Sequence, residues 1–213
     1  MRIVAIDGPA GAGKSTIARL LAERIGLMYL DTGAMYRAIT LLAQDMGVEL
    51  ASDEKMSALL DESRIFVGKT TVTINDLDVT TRIRSKEVTA GVSVVASLPG
   101  VRQRLRVLQR EWANRIGGGV VEGRDIATVV FPEACLKVFL TASSHERARR
   151  RVEQSGGNLD EVEAAITMRD ERDMSREDGP LKPADDAVVI DTTGRTIDEV
   201  LNEMVSLFGE RCG

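Results

Sequence analysis

The 213-residue sequence predicts an α/β protein with a doubly wound parallel sheet, and two observations support this fold class. Short apolar runs with little alternation are typical of strands that are buried on both faces of a parallel sheet. Such runs occur at residues 3–6, 120–121, 136–140 and 187–190. The stretches between them carry apolar residues at helical spacing, and strands that alternate with helices favour this architecture.

Helices are predicted after the first strand, in the middle of the chain and near its carboxyl-terminal end. Residues 17–25 show helical periodicity up to Gly26, a residue that favours a helix end. A second apolar stripe at residues 101–112 follows Pro99. The third covers residues 197–205, and a capping box formed by Thr196 and Glu199 marks its start.

The segment at about residues 62–85 interrupts this alternation. Its Thr and Val residues alternate, and turn-forming pairs stand at Gly68-Lys69 and Asn75-Asp76. The pattern predicts a small antiparallel β insertion, the flap, within a single domain of residues 1–213. Gly117-Gly118-Gly119 is predicted to be a plain turn before the strand at residues 120–121.

Composition restricts the class of protein. Lys plus Arg number 28 and Asp plus Glu number 33, so the net charge is −5, and hydrophobic residues make up 43%. This balance excludes a disordered, collagen-like or coiled-coil chain and argues against a protein that mainly binds nucleic acid. No apolar run approaches the roughly 20 residues that a membrane span needs, and we expect a cytoplasmic monomer. Cys135 and Cys212 could form a disulfide, but a reduced cytosolic pair is favoured.

The sharpest motif is a glycine-rich loop directly after the first strand. It fits the G-x-x-x-x-G-K-[ST] pattern in full, as Gly8-Pro9-Ala10-Gly11-Ala12-Gly13-Lys14-Ser15-Thr16. Its glycines let the backbone wrap closely around phosphates, and its N–H groups with the following helix supply positive potential. Lys14 is expected to reach the β- and γ-phosphates, and Ser15 to offer its hydroxyl to Mg²⁺. The loop therefore predicts a site for MgATP.

This loop alone does not specify the reaction, because switch GTPases, motor ATPases and small-molecule kinases all use it. An Asn-Lys-x-Asp guanine signature is absent, and no apolar strand ends in an Asp-Glu pair. Both absences favour a compact kinase of the P-loop type. Two alternatives stay open: a kinase that acts on AMP, UMP or shikimate, and a regulator that binds ATP without transferring phosphate.

Arginines supply the charge that a phosphorylated acceptor requires, because a guanidinium group can bind phosphate oxygens in pairs. Arg124, beside Asp125, comes just past a predicted strand, where α/β folds place ligand sites. Further arginines cluster at residues 147–151 and 169–176. A regulator needs no second phosphate site, so this density favours a kinase. A nucleic-acid contact through residues 147–151 is a weaker alternative, since only 3% of residues are aromatic.

Three motifs, in order along the chain, resemble those of bacterial cytidylate kinases. The first is the glycine-rich loop followed by Leu-Asp-Thr-Gly-Ala-Met-Tyr-Arg at residues 30–37. The second is Glu-Gly-Arg-Asp at residues 122–125 with Thr-Val-Val-Phe-Pro after it, and the third is Arg-Asp-Glu-Arg-Asp-Met-Ser-Arg at residues 169–176. The flap lies where this family carries an extra nucleotide-binding segment. The departures are small: Thr32 stands where relatives often have Ser, and Glu122 where some have Asp.

The resemblance implies transfer of the γ-phosphoryl group of MgATP to CMP or dCMP, as part of pyrimidine nucleotide metabolism. The catalytic residues that it implies are Lys14, Arg124 and Arg176. The CMP site that it implies consists of Thr32, Arg37, Ser93, Arg102, Arg124, Asp125, Arg169, Asp173 and Arg176. The acceptor phosphate would be held by Arg37, Arg124 and Arg176. The sugar would face Arg169 and Asp173, and the base would contact Ser93, Arg102 and Asp125.

The chemistry of cytosine agrees with this base-reading group. The N4 amine of cytosine donates while N3 and O2 accept, so a carboxylate suits the amine and Arg or Ser donors suit the acceptors. Uracil presents an acceptor at O4, which a carboxylate repels. A mismatch of roughly 1–3 kcal/mol would favour CMP over UMP by about tenfold or more.

No general base is expected for this reaction, because the attacking phosphate oxygen has a second pKa near 6 and is already ionised at about pH 7. Catalysis should come from alignment and charge neutralisation. The basic segment at about residues 145–157, which ends in Gly156-Gly157, is a candidate lid that would keep water from the phosphoryl group.

Overall fold

The computed structural model describes residues 1–213, which form two compact units: Met1–Tyr29 with Ile116–Gly213, and Leu30–Arg115. Strands β1 to β8 span Arg2–Asp7, Tyr29–Asp31, Ile65–Val67, Val72–Ile74, Leu77–Asp78, Gly118–Glu122, Leu136–Thr141 and Val188–Asp191. Helices α1 to α8 span Lys14–Ile25, Thr32–Asp45, Asp53–Asp61, Lys86–Val95, Pro99–Ile116, Ser144–Ser155, Leu159–Met174 and Ile197–Cys212. Short turns cover Arg82–Arg84, which is 3₁₀-helical, and Ile126–Val130, which is π-helical. All of the helices are too short or too polar to span a bilayer.

A five-stranded sheet has the order β2-β6-β1-β7-β8, and its strands β1, β6, β7 and β8 belong to the first unit. The pairs β1–β6, β1–β7 and β7–β8 are parallel. Residues 3–7 of β1 are at most 1% exposed, as expected for a central strand that is covered on both faces. The predicted α/β fold with a parallel sheet is therefore confirmed.

One face of this sheet packs against α1 and α8. The periodic apolar side chains of α1, such as Ile17 and Leu21, join Met204 of α8 and the strand residues Ile6 and Val138 in one buried cluster. Gly26 ends α1 in the left-handed conformation, and Thr196 with Glu199 forms a complete capping box at the start of α8. Both helix ends lie where the sequence predicts them.

The parallel strands bring three loops of the first unit to one edge of the sheet. Because β1, β6 and β7 run in the same direction, the loops after Asp7, Glu122 and Thr141 leave from their shared carboxyl end. In open α/β sheets, this edge is where ligands bind. The glycine-rich loop and the Arg124-Asp125 segment therefore leave the sheet at the same edge.

The second unit contains a three-stranded antiparallel sheet in the order β3-β4-β5. Asn75 and Asp76 adopt positive φ angles of 50° and 69° and make the tight turn between β4 and β5. The small antiparallel insertion is thus confirmed. In the same unit, the Asp53 carboxylate of α3 accepts the N–H groups of Gly100 and Val101 at 2.9 and 3.2 Å, which caps the first turn of α5.

The prediction of a plain turn at residues 117–119 is wrong for two of the three glycines. Gly118 and Gly119 already belong to β6 and pair with Arg2 and Ile3. Gly118 has φ +134°, and a Cβ atom there would lie 2.2 Å from the carbonyl oxygen of Arg2. A glycine is needed because the strand backbones approach too closely for a side chain.

The expectation of reduced cysteines is also wrong. Cys135 and Cys212 form a disulfide, with Cα atoms 5.4 Å apart. The two residues are 77 positions apart in sequence, and only the packing of α8 against the sheet brings its last residue to the residue before β7.

Candidate active site

The glycine-rich loop follows β1, and at two of its glycines the neighbouring atoms leave little or no room for a side chain. Gly8 has φ +147°, and a Cβ atom there would lie 2.0 Å from the carbonyl oxygen of Leu140. Gly11 has φ +79°, and its Cβ atom would lie 3.0 Å from the Cβ atom of Arg147. The loop is therefore pressed against β7 and α6, and only glycines allow its backbone this conformation.

Lys14 is the first residue of α1, directly after Gly13. Its side chain is buried, at 7% exposure, and its Nζ donates a hydrogen bond to the carbonyl oxygen of Pro9 at 2.8 Å. Burial, together with the charges of Arg124 and Arg169, lowers the pKa of Lys14 to about 7, although Glu122 and Asp7 oppose the change. The ammonium group is thus held inside the loop in a site that favours a bound anion.

This pKa predicts that ATP binding takes up a proton above neutral pH. Near pH 6, Lys14 is already protonated, so binding takes up no proton at this site. Near pH 8, Lys14 is mostly neutral, and the polyphosphate restores its charge. ATP affinity should therefore fall by up to about tenfold per pH unit as the pH rises above 7.

Calorimetry at pH 8 in two buffers of different ionisation enthalpy would measure this uptake, with an expected value close to one proton. The control is Lys14→Arg, because a guanidinium stays protonated and should show almost no uptake. Equal uptake in both proteins would contradict the assignment to Lys14.

Asp173 holds two of the predicted acceptor arginines. It lies at 1% exposure near the end of α7 and accepts a hydrogen bond from Arg124 Nε at 2.9 Å and another from Arg176. Burial opposes ionisation, yet the charges of Arg124, Arg176 and Arg169 prevail, so the pKa of Asp173 is lowered. Asp173 therefore stays ionised and keeps these guanidinium groups together, although they repel each other.

A second buried ion pair contacts the glycine-rich loop itself. Arg147 of α6 and Asp170 of α7 bind each other, at 7% and 4% exposure. Asp170 also accepts the N–H of Ala10 at 3.3 Å, and Arg147 donates to the carbonyl oxygen of Ala10 at 3.0 Å. Both backbone groups of Ala10 are thus fixed by side chains from two helices.

Three of the four arginines in the basic run at residues 147–151 are engaged within the protein. Arg147 is buried against the glycine-rich loop, as described. Arg149 pairs with Glu146 and Glu153 on its own helix, and Arg150 pairs with Glu146 and donates to the carbonyl oxygen of Thr192 at 2.7 Å. These contacts argue against the nucleic-acid alternative.

The residues near Lys14 suit a magnesium ion that arrives with a nucleotide. The chain has no group of three or more His, Cys, Asp or Glu side chains that could hold a metal ion by themselves. Mg²⁺ typically uses one or two protein oxygens together with substrate phosphates and water. Ser15 is exposed in the first turn of α1, while Glu122 is buried at the end of β6 and accepts a hydrogen bond from Tyr29. One hydroxyl and one carboxylate fit that requirement.

Four predicted site residues belong to the second unit. Thr32 and Arg37 are in α2, Ser93 is in α4 and Arg102 is in α5. The Asp31 side chain caps α2 by accepting the N–H of Ala34 at 3.0 Å. Arg102 is 2% exposed and donates to the carbonyl oxygen of Ala96 at 3.1 Å, and Ser93 is half-buried. The Arg102 guanidinium is thus fixed beside the carboxyl-terminal end of α4.

The first unit brings together the glycine-rich loop, Arg124, Asp125, Arg169, Asp173 and Arg176. The charges of Arg124 and Arg169 both act on Lys14, and the charge of Asp125 acts on Asp7. Sequence reasoning missed Asp7, Asp170 and the buried role of Arg147. The one available signal was Asp7, a charged residue directly after the apolar run at residues 3–6.

Comparisons with known proteins agree with these motifs. The family model of cytidylate kinase matches residues 4–210. A cytidylate kinase of Desulfitobacterium hafniense (strain Y51) is 46% identical, over 98% of this chain and 93% of that protein. A bifunctional pantoate ligase/cytidylate kinase of Synechococcus sp. (strain CC9902) is 50% identical over 98% of this chain, which spans only 45% of that longer protein. A solved sugar kinase of Janibacter sp. HTCC2649 shares the fold, with TM-score 0.51 and 14% identity, over 98% of this chain and 95% of its own.

Proposed function

Because this chain belongs to the cytidylate kinase family, it transfers the γ-phosphoryl group of ATP to CMP or dCMP, and we propose how its own residues do so. The observation that carries the proposal is a charge arrangement in the first unit. A buried lysine lies in the glycine-rich loop, and a buried carboxylate, Asp173, gathers Arg124 and Arg176. One group suits a polyphosphate donor, and the other suits a phosphorylated acceptor.

The donor is bound by the glycine-rich loop, residues 8–16. Its N–H groups and the amino-terminal end of α1 bind the phosphates, and Lys14 contributes the charge. When ATP arrives, Lys14 Nζ exchanges its hydrogen bond to the Pro9 carbonyl for bonds to phosphate oxygens. Burial makes this exchange favourable, because a charge in a low-dielectric site gains more from a bound anion.

The acceptor phosphate is bound by Arg124 and Arg176. Asp173 accepts from Arg124 through Nε and from Arg176 through a terminal nitrogen, and each guanidinium carries several N–H donors with which it can also bind phosphate oxygens. Asp173 and Arg169 contact the sugar of CMP. The remaining CMP-site residues, Thr32, Arg37, Ser93, Arg102 and Asp125, keep the roles that the family resemblance implies.

The chemical step is an in-line displacement. An ionised oxygen of the CMP phosphate attacks the γ-phosphorus, and the bond from that phosphorus to the bridging oxygen of ADP breaks. No base is required, and Lys14, Arg124 and Arg176 stabilise the charge on the transferred group. Magnesium, when bound with ATP, neutralises phosphate charge, and Ser15 with Glu122, directly or through water, would hold it.

The remaining features of the proposal concern the whole protein. We place it in the cytoplasm as a monomer with ATP and CMP as its partners, and its Cys135–Cys212 disulfide departs from the reduced state that is usual for cytosolic thiols. The flap at about residues 62–85 serves the nucleotide acceptor, and the segment at about 145–157 serves as a lid. Because Arg147 is fixed to the glycine-rich loop, motion of that segment would involve its later residues, which are mostly exposed.

Asp125→Asn tests the base-reading assignment. A carboxylate accepts from the N4 amine of cytosine, whereas an amide can also donate to O4 of uracil. We expect the ratio of kcat/KM for CMP to that for UMP to fall by about tenfold or more. A coupled assay with CMP, dCMP, UMP, AMP and shikimate as acceptors would measure it.

The matched control for this variant is Asp186→Asn, which removes an equal charge at an exposed carboxylate that pairs with Lys137. It should leave the acceptor preference unchanged. An unaltered preference in Asp125→Asn would show that another residue reads the base. Wild-type turnover that is faster on AMP or shikimate than on CMP would overturn the proposed function as a whole.

A further inference from the structure

The segment that carries Arg124 and Asp125 is attached to the end of β1 at both of its ends. On one side, the N–H of Gly123 donates to the carbonyl oxygen of Ile6 at 3.0 Å. On the other side, the N–H groups of Ile126 and Ala127 donate to the two carboxylate oxygens of Asp7, at 2.9 and 2.7 Å. The two residues between these attachments therefore have a backbone that is fixed relative to β1.

The Asp7 carboxylate accepts from two backbone N–H groups that have no acceptor within their own turn. The π-helical turn begins at Ile126, and the first N–H groups of any helical turn lack an acceptor within it. Ile126 and Ala127 are buried, at 1% and 3% exposure, so water is a poor substitute. Asp7, the last residue of β1 and only 1% exposed, thus caps this turn although the two are far apart in sequence.

Asp7 also leads directly into the glycine-rich loop, since Gly8 is the next residue. One side chain is therefore bonded to the turn after Arg124-Asp125 while its own backbone begins the donor loop. A shift of either loop would stretch hydrogen bonds that are buried and have no replacement, which is costly.

We propose that Asp7 is a positioning residue that holds Arg124 and Asp125 in register with the glycine-rich loop. The inference rests on the proposed function, because it takes Arg124 and Asp125 to contact the acceptor. In this role, Asp7 touches neither nucleotide. It acts through the backbone of the loop that carries the two contact residues.

The chemistry of the site requires a carboxylate rather than an amide. A carboxylate can accept at both oxygens, whereas an asparagine would point its NH₂ group at one of the two backbone donors. Burial is the main cause that raises the pKa of Asp7 to about 6; the charge of Asp125 acts in the same direction, while the two N–H groups and Lys14 oppose the change. With the N–H groups and Lys14 facing it, Asp7 is mostly ionised at neutral pH, so both acceptors are available.

The test compares Asp7→Asn with the wild type in two backgrounds. In the wild-type background, we expect kcat/KM for CMP to fall by about 10- to 100-fold, with the CMP-to-UMP ratio reduced and KM for ATP changed by less than about threefold. In the Arg124→Ala/Asp125→Asn background, the same substitution should cost less than about threefold, because the residues that it positions are gone. Asp186→Asn is the charge-matched control.

A second readout does not depend on activity. Amide hydrogen exchange at Ile126 and Ala127 should become faster in Asp7→Asn, while strand β1 keeps its protection. If Asp7→Asn does not fold, Asp7→Ser replaces it, because a hydroxyl can rotate to accept one of the two N–H groups and points no amide at the other.

Three results would overturn the inference. Unchanged kcat/KM for CMP in the Asp7 variant would do so, and so would an equal loss in both backgrounds, which would indicate an independent role. A loss confined to KM for ATP would make Asp7 a partner of Lys14 instead. If the double variant Arg124→Ala/Asp125→Asn keeps the kcat/KM of the wild type for CMP, the proposed acceptor site is wrong. This result differs from the three that overturn the role of Asp7.

Discussion

Lys14→Ala is expected to lower kcat by about 10²–10³-fold while the protein stays folded. The side chain is buried inside the phosphate loop, and Lys14 is the one charged residue of residues 8–16. An alanine cannot supply this charge, and the interaction it loses is strongest when negative charge develops during transfer. The effect should appear mainly in kcat, with a smaller rise in KM for ATP.

Steady-state kinetics with varied ATP and saturating CMP would measure this loss, and circular dichroism would verify folding. The matched control is Lys55→Ala, which removes an exposed lysine that pairs only with Glu49 on the surface. Turnover of Lys14→Ala near that of Lys55→Ala would refute the role assigned to the loop lysine.

Asp173→Ala should cause the largest loss of stability. It removes the buried acceptor of two guanidinium groups and leaves Arg124 and Arg176 to repel each other. Removing one partner of a buried, hydrogen-bonded pair costs about 3–5 kcal/mol, and the residual exposure of both arginines reduces this to about 2–4 kcal/mol. With an m-value of about 2 kcal/mol/M, the urea midpoint should fall by roughly 1–2 M.

Asp173 also makes the free energy of unfolding depend on pH, and its lowered pKa determines the direction of that dependence. The folded-state pKa of Asp173 is lowered, so its contribution is fully present above the unfolded pKa of about 4. The contribution is lost as the pH falls below that value and through the folded pKa. The gap in stability between wild type and Asp173→Ala should therefore be wide at pH 7 and should narrow in acid.

Urea unfolding at pH 7 and at successive acidic pH values would measure this gap. Glu153→Gln is the control, because it breaks an exposed ion pair with Arg149, and such surface pairs contribute little to stability. If Asp173→Ala and Glu153→Gln shift the midpoint equally, the buried arrangement contributes no special stability.

Local sequence patterns predicted the elements that depend on near neighbours. The strand at residues 3–6, the helix that ends at Gly26, the capping box at Thr196 and the antiparallel insertion all depend on residues within a few positions of each other. Gly118 shows the limit of this reasoning, because its need for a glycine comes from the backbone of Arg2.

By itself, the sequence determined the kind of chemistry, since a contiguous glycine-rich loop and three ordered arginine motifs are enough to identify a phosphate donor site and the family. Only the tertiary structure decided which charges are buried together. Asp173 with Arg124 and Arg176, Asp170 with Arg147, and Asp7 with the turn after Asp125 are pairings that the sequence does not show. The physical reason is that pairing across long sequence separations depends on strand order and helix packing, which local periodicity does not encode.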